Sequence, residues 1–153
     1  MAEDHPFAMC AYIHTDTIAI EADVDCYFWV RHADEQSAGK HLTGHILPVE
    51  EFYRCFYAVF RMIESSAEAP VARREFARAA YWNRLLTFDL VTEFRRKRDV
   101  EDAELSLETA RSIAEEFGAS AASPALSPKA RFMLLLLTNG DLELLRVGLS
   151  ALR

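Results

Sequence analysis

Apolar residues recur at intervals of three and four along most of this chain, and that spacing predicts helices. Pro48 opens the first, with Phe52, Phe56, Val59 and Ile63 on one side. A second runs from about Val71 to Phe94, its apolar face made of Phe76, Ala80, Leu86, Leu90 and Phe94. A third spans roughly Val100 to Phe117 and stops at Gly118, the residue type that most readily leaves a helix. Residues 119–126 are small and read as a loop. Ser127 and Pro128 start a fourth helix as cap and first-turn proline. Asn139-Gly140 ends it, and Asp141 caps a fifth whose stripe is Leu142, Leu145, Leu149 and Leu152. Five helices of this kind suit a bundle.

Residues 1–47 follow a different pattern. Asp4 can cap a helix whose first turn holds Pro6. The run from Phe7 to Ile13 is apolar on every side, so its period does not separate a buried helix from a buried strand. The cap and the proline favour helix. Residues 17–22 and 26–31 are rich in β-branched and aromatic side chains and read as strands, joined by a turn at Asp23-Val24-Asp25. Residues 33–40 form a polar loop. The expected class is therefore α+β, with a short helix and strands in residues 1–47 and a helical region in residues 48–153. An apolar segment such as 7–13 needs cover, either from the bundle or from a second copy of the chain.

The chain has 153 residues, 51% of them hydrophobic, enough for a real core at this length. Net charge is −7, which argues against nucleic acid as a partner. The first 50 residues hold nine acidic and two basic side chains, while the remainder balances to zero. That acidic third suits a metal ion or a sugar hydroxyl better than a bare phosphate, and equally suits a solvated surface. Cys10, Cys26 and Cys55 are odd in number and lack CxxC spacing, so a reducing compartment fits better than a disulfide framework. The start of the chain is acidic rather than basic, unlike a secretory leader, and no apolar run has the length of a membrane span. The expected location is the cytoplasm, including the inner face of its membrane.

The chemistry-bearing order is an acidic pair, Glu3-Asp4, then a buried segment, a short strand, a turn, and an aromatic strand, Cys26-Tyr27-Phe28-Trp29-Val30, closing on Arg31-His32. This order resembles the C-terminal part of the catalytic domain in family 2 (GT-A type) glycosyltransferases, over about residues 2–66. The family has an acidic pair at the start of a helix, then a strand and an aromatic segment ending in a basic residue, then a serine-containing loop. The resemblance implies transfer of a sugar from a nucleotide sugar to a hydroxyl acceptor, on a cell-surface polysaccharide. An inverting transferase must remove a proton from that hydroxyl, and a carboxylate at hydrogen-bond distance does so. By resemblance Asp4 is the general base and Glu3 orients it or the acceptor. Arg31, His32 and Ser37 match the residues that contact the donor diphosphate, and His32 matches a metal ligand. A divalent metal (Mn or Mg) and a nucleotide sugar are expected for a full-length enzyme.

The departure from the family is its nucleotide-binding half, a βαβ sheet with a metal-binding Asp-x-Asp that would precede the acidic pair. Asp23-Val24-Asp25 stands after the pair and reads as turn chemistry. The chain alone is thus expected to take no cofactor and to be inactive. Other readings stay open. Asp4 can be a plain helix cap, and Arg31 and His32 a solvent-facing strand end. Arg31-His32 also resembles the strand end of histidine phosphatases, but no histidine follows His45. His41 and His45 with Glu50 and Glu51 can be drawn as a metal cluster, which Gly44 and Pro48 make improbable as a helical pair. Arg95, Arg96, Lys97 and Arg98 complement a helix C-terminus. The rival in function is a non-catalytic helical module for protein interaction or oligomerisation.

Overall fold

A computed structural model of the chain describes residues 4–15, 47–96 and 99–151. Its elements are α1 (Asp4–His14), α2 (Val49–Ser65), α3 (Val71–Arg84), a π-helical turn (Leu85–Asp89), α4 (Leu90–Arg95), α5 (Val100–Glu116), α6 (Ala119–Ala122), a 3₁₀ turn (Ser123–Ala125), α7 (Pro128–Asn139) and α8 (Leu142–Ala151). The expected α+β class is overturned, because the described residues form helices and no strand. The long helices after residue 48 carry the three-and-four spacing, and in α1 the run 7–13, whose period left the question open, is helical. The stretches read as strands, 17–22 and 26–31, lie outside the described residues.

The helix ends follow local chemistry. Asp99 Oδ1 accepts from the Asp102 amide at 2.8 Å, opening α5. Ser127 Oγ accepts from the Ala130 amide at 3.2 Å and opens α7, and Asp141 Oδ1 accepts from the Leu144 amide at 2.8 Å beside α8. Gly118 takes φ 66°, the left-handed conformation that lets the chain turn after α5. The segment read as loop, residues 119–126, instead winds into α6 and the 3₁₀ turn. Arg111 on α5 clasps the end of α7, donating to Leu137 O at 2.8 Å and to Gly140 O.

The core centres on α2. Tyr53, Phe56, Val59, Phe60 and Ile63 are all buried, at helical spacing. Phe60 meets Trp82 at 4.6 Å, Tyr81 at 5.1 Å and Phe117 at 4.9 Å between ring centroids, tying α2 to α3 and to the end of α5. Helix α1 packs on α2 and α3. It buries Met9 and Ile13 but leaves Phe7 and Tyr12 exposed, so the apolar run 7–13 is covered on one face only.

The rod from Val71 to Arg95 is continuous, but its apolar face differs from the expected one. Leu86, Leu90 and Phe94 are buried as expected; Phe76 and Ala80 are exposed, and Ala77, Tyr81 and Trp82 take their place. The π turn accounts for this. It adds a residue to one turn, so the stripes before and after it do not align.

Candidate functional site

The residue after Asp4 anchors a polar interior corner of the bundle. His5 is 8% exposed although it sits in the first turn of α1. Arg84, at the end of α3, donates from Nη2 to His5 Nε2 at 2.8 Å. Nε2 therefore accepts, which leaves the proton on Nδ1 to be donated to Tyr81 Oη at 3.2 Å. The imidazole lies parallel to Phe56 (6.3 Å, 13°) and edge-on to Tyr81 (5.8 Å, 86°). A buried polar ring is tolerated here because both its nitrogens are engaged.

Arg84 is held from the other side by the π turn. Its Nε lies 3.2 Å from Asp89 Oδ2, and its guanidinium sits 5.6 Å from the centroid of Phe88. π turns of this kind occur often at functional sites. The charge of Asp89 reaches Cys55 on α2. Burial first, and then that carboxylate, push the Cys55 thiol up to about 11. Cys55 is thus a protonated, unreactive thiol at neutral pH, whereas Cys10 is exposed. A short alkylation pulse at neutral pH, read by peptide mass mapping, is expected to modify exposed Cys10 well before half-buried Cys55, and denaturant to remove the difference. Equal labelling of the two in the folded chain would contradict the burial of that corner.

A groove of about 440 Å³ runs from this corner between α1 and α3. Ala8, Ala77 and Ala80 contribute small side chains to its lining. Tyr12 and Phe76 also line it, 52% and 71% exposed, and His5, Tyr81 and Arg84 bring the polar groups. A concave site with apolar walls and a few fixed polar groups is the usual form of a ligand site. A second buried polar group lies apart from the groove. Glu93 accepts from Ser106 Oγ at 3.4 Å and pairs with Arg96 at 3.3 Å, and Tyr53 Oη meets Ser106 Oγ at 2.9 Å. Arg95, bonded to Leu149 O at 3.0 Å, ties α4 to α8, and the Arg96 guanidinium, 5.8 Å from the Phe52 ring centroid, reaches α2.

Of the residues singled out in the sequence, Asp4 begins α1. Its side chain, with Glu3, Arg31, His32 and Ser37, lies outside the described residues, as do His41 and His45. Glu50 and Glu51 stand in the first turn of α2. Among the described residues, no group of three or more His, Cys, Asp or Glu side chains could hold a metal ion. No helix among them is long and apolar enough to cross a membrane. The corner of His5, Tyr81, Arg84 and Asp89 escapes a reading of the sequence because its partners are 76 and 79 residues apart.

Over 105 residues, 67% of its length, the chain is 30% identical to the poly(ribitol-phosphate) beta-glucosyltransferase of Bacillus spizizenii. It spans 16% of that relative's length. No family model matches the chain. No solved structure matches it. The similarity relates the chain, distantly, to a glycosyltransferase.

Proposed function

We propose that this chain supplies the acceptor side of a family 2 (GT-A type) glycosyltransferase, residues 1–47 ending the catalytic domain and residues 48–153 forming its helical extension. The observation that carries the reading is the 30% identity over 105 residues to a polymer-glucosylating enzyme. An acidic residue at the first position of α1 agrees with it. In this reading the acceptor is a hydroxyl on a polyol-phosphate polymer. Asp4 accepts the proton of that hydroxyl as it attacks the anomeric carbon, and Glu3 orients it. Arg31, His32 and Ser37 face the departing diphosphate of the nucleotide sugar, where charge-assisted hydrogen bonds stabilise the growing charge. The described residues offer no cluster for the expected divalent metal. His32 remains the metal ligand that the family resemblance suggests. In this reading the donor is held by the family's nucleotide-binding half, and residues 1–153 supply the acceptor side.

Joining the chain behind the donor-binding half of the Bacillus relative tests this. The joined protein is expected to move labelled glucose from a glucose nucleotide to poly(ribitol phosphate), and the chain alone is not. A joined protein that folds, by circular dichroism, and transfers no more than the donor half alone would overturn the proposal.

The second reading, a non-catalytic interaction module, draws on Leu135, Leu144 and Val147, which are 61%, 51% and 62% exposed on α7 and α8. It requires concentration-dependent sedimentation of the chain and silence in the transfer assay.

A further inference from the structure

We propose that the groove between α1 and α3 is a subsite for the acceptor polymer, seating one polyol phosphate unit beside the unit that is modified; the assignment rests on the transferase reading. Three features of the groove point to this class of ligand.

The first is its walls. The bundle buries Tyr53, Phe56, Phe60, Tyr81 and Trp82 almost completely, yet leaves Tyr12 and Phe76 largely uncovered in the lining of one groove. Exposed aromatic rings beside small alanine side chains suit the carbon-hydrogen face of a sugar or polyol, whose hydroxyls then point to water. The volume, about 440 Å³, lies within the usual range for small-molecule sites.

The second is a fixed cation. Arg84 pairs through Nε with Asp89 at 3.2 Å and donates Nη2 to His5, so its guanidinium is held from two sides. Nη1 makes no hydrogen bond among the described residues, and the side chain is 48% exposed. A pre-oriented guanidinium with one donor to spare is suited to a phosphate oxygen. Its helix adds to the field. In a protein of net charge −7, α3 carries Arg73, Arg74, Arg78 and Arg84 against one acid, Glu75. Cation at one end and rings further along match a ligand in which anionic and carbon-rich groups alternate.

The third is placement. His5 follows Asp4 directly, and neighbouring Cα atoms are about 3.8 Å apart. From His5 to Tyr12 the helix rises about 10 Å, so the groove leads away from Asp4 along α1. A polymer with one hydroxyl at Asp4 has its neighbouring unit in position to enter.

The test is a titration of the ¹⁵N-labelled full chain, followed by NMR, with ribitol 5-phosphate, ribitol, inorganic phosphate and the neutral glycan maltotriose as separate probes. Ribitol 5-phosphate is expected to shift the amides of Ala8, Tyr12, Phe76, Ala80 and Arg84, and to bind at least about tenfold more tightly than any other probe. Tyr12→Ala and Phe76→Ala are each expected to weaken it about tenfold. Both side chains are exposed, so both variants keep the fold, which thermal melting verifies. Arg84→Gln is expected to erase the preference for ribitol 5-phosphate over ribitol. Absence of shifts at millimolar probe, shifts centred elsewhere, affinity unchanged by the two alanines, or equal binding of maltotriose would each overturn the proposal. The titration needs no donor. Binding as described with a joined protein that transfers nothing sinks the transferase reading. Transfer without groove binding sinks the subsite alone.

Discussion

Asp4→Asn in the joined protein is expected to lower sugar transfer by about 100-fold or more while leaving thermal stability unchanged. Asparagine has nearly the same shape as aspartate and caps a helix about as well. Whatever Asp4 contributes to the start of α1 therefore survives the exchange. What is lost is a group able to take a proton, a function worth about 10² to 10⁴ in rate when a side chain is well placed. The substitution thereby separates a base from a cap. Full activity would show that Asp4 only starts the helix; loss of activity together with a lowered melting point would point to misfolding. Asp4→Ala removes both roles, and activity and stability are expected to fall together.

Phe60→Ala is expected to cost about 3–5 kcal/mol of folding stability, the range for deleting a buried aromatic ring. Phe60 is 0% exposed and lies nearly parallel to Phe117 at 13°, with Trp82 and Tyr81 also against it. Small domains hold about 5–15 kcal/mol in total, so the loss is a large share. Urea unfolding followed by tryptophan fluorescence reads it directly, since Trp82 reports on the same cluster. A loss under about 1 kcal/mol would mean that the cluster is not packed as described. Because Tyr81 also bonds His5, loosening it is expected to weaken groove binding even where the chain remains folded.

Much of the helical frame was legible in the sequence because it depends on near neighbours. The serine and proline opening α7, the cap at Asp141, the stop at Gly118 and the inward stripe of α2 are all decided within a few residues. The α+β class was not, since it drew on two β-branched stretches outside the described residues, and the regular elements among the described residues are all helical. The inward face of α3 was misread because a constant period was carried through Leu85–Asp89, where the helix widens. The all-apolar run 7–13 suggested burial on every side, yet only the face carrying His5, Met9 and Ile13 meets the bundle. The polar corner was out of reach for a different reason. Its bonds join residues that no local rule relates, and α1 reaches them only after α2 and α3 have packed together.

The wide turn at Leu85–Asp89 makes this stretch of chain intolerant of a change in length. Removing a single residue there would restore ordinary winding and twist the two halves of the rod by about 100° relative to each other. Either Ala77 and Tyr81 or Leu90 and Phe94 would then swing toward water. Insertions and deletions that a surface loop absorbs would here force a choice between the groove and the tail of the bundle, so any chain that keeps both must also keep the surplus residue.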